Sequence, residues 1–488
     1  MTSDPRDTPD TPAPADDDLA DTAAAGTDPD AAPEAVEPLA ELLVLADGVP
    51  PLTETAAGLA AVCADLAAGT GPVAIDAERA SGYRYSQRAY LIQLRRNGSH
   101  TALIDPIAFD SLAPLAEVLE GTEWILHAAT QDLPCLNEIG LYPSALFDTE
   151  LAGRLLGYPR VGLATLVETL LGFRMKKEHS AADWSTRPLP EAWLEYAALD
   201  VEVLVELRDR LAAELEETGK AEWARQEFDA LRSFKQTPRT DAWRRVSGLH
   251  RVRGRRALGA VKALWETRDD LAARRDVTPG RIIPDAAIVA AAVALPTDRA
   301  ALQEVKGFHG RGADRYGARW VEALERVAAM EEDELPSRSP KGEGPPPPRA
   351  WAEKDPVAAT RLQLARDAVA ALSEQHHLPV ENLLTPDVLR RTLWAPPATR
   401  DPGDLLDGVV DQLTAMGARA WQVALTAPVI TTAVLQADAQ AAEKAAEKAA
   451  QREATQRAAD SRDETDQGAT DAAEDAPQDV GGSEGDGA

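Results

Sequence analysis

Four acidic residues and one tyrosine stand in settings where chemistry is possible: Asp76 and Glu78 in VAIDAE, Asp132 in HAATQDLPCL, and Tyr196 and Asp200 in WLEYAALDVEVL. Asp76 and Glu78 are two apart at the end of an apolar run that reads as a strand, so both side chains leave the same face of a sheet. Two carboxylates on one face repel each other unless a cation lies between them, and hard oxygen ligands suit Mg²⁺ or Mn²⁺. Tyr196 and Asp200 are four apart in a helical stretch and share a helix face. Asp132 follows the apolar segment WILHAA and opens the helix DLPCLNEI. Taken singly, each has an ordinary alternative. An Asp-x-Glu pair recurs by chance in an acidic chain, Asp132 could answer free N–H groups at a helix start, and Tyr196 could fill a core. Together, in one order and within about 125 residues, they read as one site.

The elements around these residues must hold the acids inward. GLAAVCADLAAG (58–69) reads as a helix, and PVAIDAE (72–78), YLIQLRR (90–96) and TALIDP (101–106) as strands. LAPLAEVLEG is helical, WILHAA (124–129) returns to strand, and from TQDLPCLNEIG onward nearly everything is helical. Strands first, one strand between helices, then helices alone predict an α/β sheet with a helical flank over residues 50–228.

At 488 residues the chain exceeds one ordinary core, and two or three domains are expected. Residues 231–320 hold 19 Lys or Arg against 9 Asp or Glu, with short helices punctuated by TPG, IIPD and LPTD. This predicts a basic helical bundle over 231–330. The proline-rich stretch 335–348 reads as an extended linker. A third helical unit is expected over 350–435; its LPVENLLTPDVL echoes VTPGRIIPDAAI of the second, as two copies of one module would. The formal net charge of −30 comes mostly from the ends. Residues 1–47 carry 13 acids against the single Arg6, and residues 437–488 carry 14 against 5 bases. Nearly free of aromatics, both are expected to be disordered acidic tails, with the Glu-Ala-Lys run of the second favouring a helix. Two cysteines, Cys63 and Cys135, argue against a disulfide scaffold. With no run of 18 apolar residues and no secretory pattern at the N-terminus, a cytoplasmic protein is expected.

The three acidic segments resemble the exonuclease motifs of the DEDD superfamily, and Tyr196 places them in its tyrosine branch; Glu195 stands where the histidine branch has His. The resemblance narrows to ribonuclease D through RAYLIQL, HAATQDLPCL, FDTELAGRLLGY and KKEHSAADWSTRPLPEAWLEYAALDV, and covers about residues 70–210. The unit at 231–330 resembles the helicase and RNase D C-terminal (HRDC) domain, and the third unit a degenerate second copy. Ala77 stands where the family often has Thr, on the opposite strand face from the acids. The resemblance implies a ribonuclease H-like mixed sheet flanked by helices, followed by one or two small all-α domains. It implies a 3′→5′ exoribonuclease releasing nucleoside monophosphates from RNA 3′ ends, such as tRNA or other stable RNA precursors, with two divalent ions, Mg²⁺ or Mn²⁺. By that resemblance Asp76 bridges both ions, Glu78 and Asp200 complete the site of the nucleophilic water, Asp132 reaches the second ion through water, and Tyr196 orients the attacking water.

Lys177, Trp184 and Arg187 are candidates for substrate contacts, with Trp184 equally readable as a structural anchor. His127 reads as a strand-end packing residue. In the basic unit, Arg251, Arg253, Arg255, Arg256, Lys306 and Arg311 are candidates for phosphate contacts, the last two in a turn of helix-hairpin-helix type. Two rivals stay open: a DNA exonuclease with the same chemistry, and a non-catalytic nucleic-acid-binding scaffold.

Overall fold

Apolar runs rich in Val, Ile and Leu make the central sheet of a computed structural model. It describes residues 40–474 apart from 177, 178, 180, 237–239, 311–313 and 339–343, with side chains described to residue 457. Strands β2 (Leu52–Thr53), β3 (Thr70–Arg79), β4 (Ala89–Asn97), β5 (Ala102–Ile104), β6 (Glu123–Leu126) and β7 (Ala145–Asp148) pair in the order β2-β5-β4-β3-β6-β7. The β3–β4 and β4–β5 pairs are antiparallel and the others parallel, so the sheet is mixed.

Strand alternation sorts β3. Val73, Ile75 and Ala77 enter a core with Leu59 and Leu66 of α1 (Ala56–Ala68) and Leu115 and Leu119 of α2 (Ala113–Leu119). The intervening residues, including Asp76 and Glu78, face the other layer. There α6 (Glu191–Glu202) and α7 (Leu204–Glu217) pack beside α4 (Thr149–Leu156) and α5 (Leu163–Leu171).

Several expected boundaries move. The strand expected to run to Ala129 stops at Leu126, because Ala128 takes a left-handed φ of 60° that no strand accommodates. Two strands interrupt the stretch expected to be nearly all helical. β7 pairs with β6, and β8 (Phe173–Arg174) pairs with β1 (Glu41–Leu42); at four residues or fewer they are too short to show alternation. The expected N-terminal tail therefore gives up its last residues to the fold, with Leu43 buried. The expected C-terminal tail is helical as far as Glu474, in a 55-residue helix Ala420–Glu474. Its Ala, Glu, Lys and Gln are strong helix formers and it grows from a packed start. The proline-rich linker is anchored at both ends: Leu335 is buried in the core of the preceding unit, and the Pro346 carbonyl accepts the Trp351 indole N–H at 2.7 Å.

The two helical units share a succession of elements. In each, a 21-residue helix (Arg255–Arg275; Pro356–His376) ends on a left-handed residue (Asp276, φ 46°; His377, φ 53°). A four-residue helix follows (Pro279–Ile282; Val380–Leu383), then a longer one (Asp285–Ala294; Pro386–Trp394). Trp320 anchors the core of the first, and Trp351 that of the second. Among the described residues one helix, Ala420–Arg457, is long and apolar enough to cross a membrane by length and composition; its Val423, Ile430 and Val434 pack in the core of the third unit.

Both units meet the sheet domain at that left-handed corner. On one side Ser86 N–H donates to Asp276 Oδ1 at 2.8 Å, Thr278 N–H to the Tyr83 carbonyl at 3.1 Å, and the Tyr85 hydroxyl to Asp269 Oδ2 at 2.9 Å. On the other, the buried Lys220 ammonium donates to the Leu155 and His376 carbonyls, both at 2.7 Å. A Cβ on Gly157 (φ 87°) would lie 2.4 Å from the His377 carbonyl oxygen, so only glycine allows that approach. Trp223 stacks on Trp421 at 4.9 Å between ring centres.

Candidate active site

Three elements deliver the acids to one cavity of about 280 Å³, lined by Asp76, Glu78, Arg79, His127, Gln131, Asp132, Leu163, Tyr196 and Asp200 among others. Asp76 and Glu78 come from the same face of β3, opposite Gln93 and Leu91 of β4. Tyr196 and Asp200 come from one face of α6 and line the same cavity. One oxygen each from Asp76, Glu78 and Asp200 lies within 4.8 Å of the others, a spacing that a shared cation fits. Asp132 starts α3 (Leu133–Glu138), yet its side chain makes no capping hydrogen bond. Its carboxylate is buried and instead lies 3.8 Å from the Arg79 guanidinium, so the capping alternative does not describe it.

Electrostatics make the cavity an unfinished site. Burial first, then the Asp76, Asp200 and Asp132 carboxylates, push the Glu78 carboxyl up to about 10. Burial, then the charge of Asp76, holds Asp132 and Asp200 well above the usual carboxylate range. Asp76 is raised by burial against the opposing pull of the Ala77 N–H and Arg79. Burial, followed by Asp200, Glu78 and Asp76, keeps the Tyr196 proton on its hydroxyl. Four carboxylates here face one guanidinium, Arg79, among the described residues lining the cavity. Such a donor set could hold a metal ion, whose charge would offset that of the carboxylates.

Apart from Arg79, the walls around the acids are neutral. Burial lowers His127 to about 4, so its ring is uncharged near neutrality, and its Nδ1 lies 2.9 Å from the Thr149 hydroxyl. Gln93, fully buried, donates its amide to Asp76 Oδ2 at 3.5 Å. Sequence reasoning passed over Gln93, although a lone amide in the apolar run YLIQL was a signal. A neighbouring cavity of about 640 Å³ shares Leu163, Tyr196 and Asp200 with the first and adds Met175, Lys176, His179 and Trp193. The His179 ring stands edge-on to Tyr196 at 6.1 Å and lies 6.0 Å from Trp193. Neither His179 nor Trp193 was singled out from sequence.

The expected substrate contacts divide. Trp184 is fully buried against Trp193, as an anchor would be. Arg187 is spent inside the fold. Its guanidinium forks onto Asp105 at 2.6 and 2.9 Å and also donates to the carbonyls of Tyr90, Trp184 and Thr186, each at 2.8 Å. Arg255 donates to the Asp333 and Leu335 carbonyls, and Arg256 to those of Val327, Ala328 and Met330 at a helix C-terminus. These three arginines serve the scaffold, because planar guanidinium donors satisfy carbonyls that would otherwise be left unpaired. Arg251, Arg253 and Lys306 are exposed. Lys177 and Arg311 lie outside the described residues.

Comparison with known proteins follows the same division of the chain. Residues 52–216 match a 3′-5′ exonuclease family model, 257–324 the HRDC domain, and 344–434 a 3′ to 5′ exonuclease C-terminal domain. Ribonuclease D of Zymomonas mobilis is 35% identical over 300 residues, covering 59% of this chain and 75% of that protein. Ribonuclease D of Escherichia coli is 30% identical over 270 residues, covering 54% and 71%. Among solved structures, a protein from Bifidobacterium adolescentis superposes with a TM-score of 0.73 at 36% identity, covering 81% of this chain and 99% of that one. Escherichia coli RNase D, described as an exoribonuclease involved in structured RNA processing, superposes with a TM-score of 0.57 at 26% identity, covering 76% and 99%.

Proposed function

The chain belongs to the ribonuclease D family, and we propose that it is a 3′→5′ exoribonuclease that trims the 3′ ends of tRNA or other structured RNA precursors with two Mg²⁺ or Mn²⁺ ions. The observation that carries this reading is the convergence of Asp76, Glu78, Asp132 and Asp200 on one cavity that also holds Tyr196. Asp76, Glu78 and Asp200 would hold one cation between them, and Asp132 would serve the second. Divalent cations bound there neutralise the phosphate and acidify a water.

The remaining work falls to the chain's own side chains. Tyr196, beside Asp200, keeps its proton and would orient a water by hydrogen bond. Arg79 offsets part of the negative charge beside Asp132. The adjoining cavity, with Trp193 and His179 on its wall, offers aromatic faces to a terminal base. Arg251, Arg253 and Lys306 on the basic unit are exposed and would meet phosphates farther along the strand. The repeated succession of a 21-residue helix, left-handed corner, four-residue helix and longer helix supports reading residues 350–435 as a second copy of the module at 231–330.

The test is degradation of an RNA with a 3′ overhang, and of its DNA counterpart, by wild type and Asp76→Ala in Mg²⁺ or Mn²⁺. Stepwise loss of 3′ nucleotides from RNA, abolished by the substitution, is the expected result. Cleavage of DNA alone would replace RNA as the substrate, and binding without cleavage of either strand would leave only a scaffold.

A further inference from the structure

The stretch FDTELAGRLLGY supplies no residue lining the acidic cavity, yet its Asp148 and Thr149 touch the segment that leads to Asp132. Asp148 ends β7 and is buried, 3% exposed, with no cationic partner among the described residues. Its carboxylate accepts three backbone N–H groups: Ala128 at 3.2 Å, Ala129 at 2.8 Å and Leu151 at 3.1 Å. Only the last is the usual cap of its own helix, α4. The other two reach across to the turn that follows β6. Thr149, fully buried, donates its hydroxyl to the Leu126 carbonyl at 3.3 Å, so its oxygen accepts from His127 Nδ1 at 2.9 Å.

That turn is one an L-residue resists. Ala128 has φ of 60°, the left-handed region, where its Cβ crowds the following carbonyl. With both N–H groups on Asp148, the Ala128 and Ala129 carbonyls are free to receive the next residues. Gln131 N–H donates to Ala128 at 2.9 Å, and Asp132 and Leu133 N–H donate to Ala129 at 3.2 and 2.9 Å. These bonds start α3 one sharp turn after the strand, with the Asp132 carboxylate released from capping and directed to the Asp76 side.

We infer that Asp148 and Thr149 are positioning residues: they hold His127 to Ala129 in a strained turn and thereby fix where Asp132 presents its carboxylate. The inference rests on the metal-dependent exonuclease reading, because the consequence of moving Asp132 is a weaker cation site. A carboxylate is required because it offers only acceptors. Asparagine would turn an NH₂ toward one of the two alanine N–H groups and lose that bond. Strain held by a hydrogen-bonding partner also makes a specific prediction: glycine at 128, which enters the left-handed region freely, should relieve the need for Asp148.

The experiment measures Mn²⁺ affinity by titration calorimetry, together with kcat and KM for 3′ trimming, in Asp148→Asn, Ala128→Gly, their double variant and Leu115→Ala. Leu115 is fully buried in the core on the other face of the sheet and controls for loss of stability alone. Asp148→Asn should weaken Mn²⁺ binding and lower kcat by roughly 10- to 100-fold, as loss of a group supporting a metal ligand does, with little change in KM. Ala128→Gly should restore at least half of that loss on a logarithmic scale, while Leu115→Ala lowers the melting temperature and leaves Mn²⁺ affinity unchanged. Thr149→Val should act in the same direction by about threefold and be recovered by Thr149→Ser, an arm that survives if Asp148→Asn does not fold. Mn²⁺ affinity unchanged in Asp148→Asn or, where that variant does not fold, in Thr149→Val, or no rescue by Ala128→Gly, overturns the inference. Wild type that binds no Mn²⁺ overturns the exonuclease reading itself.

Discussion

Helix α6 carries Asp200 and Glu202 two residues apart, and the two meet opposite electrostatic fates. Glu202 is answered completely: Arg95 lies 3.0 Å away, the Thr101 hydroxyl donates at 3.1 Å, and the Ala46 N–H donates at 3.1 Å. Asp105, elsewhere in the same domain, is likewise clasped by the Arg187 fork. Asp200 meets Asp76, Glu78 and Asp132, and all four are pushed toward their protonated forms. Glu202 and Asp105 each have an arginine of their own, whereas these four share only Arg79. Sites that bind cations are built by withholding the protein's own counter-charge, and the stability forgone is returned on binding.

Removing members of each group sharpens that contrast. Asp76→Ala should lower 3′ trimming by on the order of 10³-fold or more, about 4 kcal/mol of barrier, while leaving the metal-free melting temperature equal or higher. A clear fall in metal-free stability would mean that Asp76 is a structural group like Glu202. Saturation with Mg²⁺ should stabilise the wild type by about 2.7 kcal/mol at a hundred times the dissociation constant, reversed by EDTA, and should leave Asp76→Ala unmoved. Arg187→Ala belongs to the paired group. It strands the buried Asp105 and three carbonyls, and should destabilise by about 2 kcal/mol, less than a fully buried pair because Arg187 keeps some exposure. Arg187→Lys should recover little of this, since an ammonium cannot reproduce the fork. Urea unfolding of the two variants checks both statements, and metal dependence in either would break the separation.

How much of this was legible depends on how local each signal was. Asp76, Glu78, Tyr196 and Asp200 were readable because strand and helix periodicity fix their relative faces within a few residues. Asp132 was readable as an acid at a helix start, but not as one freed from capping. That freedom depends on Asp148, sixteen residues farther on and in another strand. The arginines failed for the same reason: charge shows in sequence, whereas the carbonyls that absorb Arg255 and Arg256 lie about 70 to 80 residues away. β7 and β8 were missed because four residues or fewer carry no period, and their partners are set by the sheet. The sheet itself was legible, since its long strands are continuous apolar runs.

The dependence of stability on pH separates the two groups by sign. Glu78 has an ordinary value of 4.5 and is pushed up to about 10 in the fold, so between those values the folded state binds more protons than the unfolded one. Stability then falls as pH rises across that window, and the raised Asp76, Asp132 and Asp200 add in the same direction. Asp148, raised to about 6 from 3.8, has finished contributing by neutrality, and His127, lowered to about 4, opposes only below 6.5. Between about pH 7 and 8, below the ordinary range of the buried Cys63 and Cys135 thiols, the downward slope is carried by Glu78, with the other raised site carboxylates adding in the same direction. Metal-free protein should melt at a steadily lower temperature across that interval. With saturating Mg²⁺ the same scan should flatten, because the bound cation holds the carboxylates ionised in the fold as they are in the unfolded chain. Asp76→Ala should make it shallower without metal, by removing one of the charges that raise Glu78, Asp132 and Asp200 while their burial remains. A metal-free scan that is level to about pH 8 would mean that neither burial nor mutual repulsion holds protons on these acids, and that they are as well answered as Glu202.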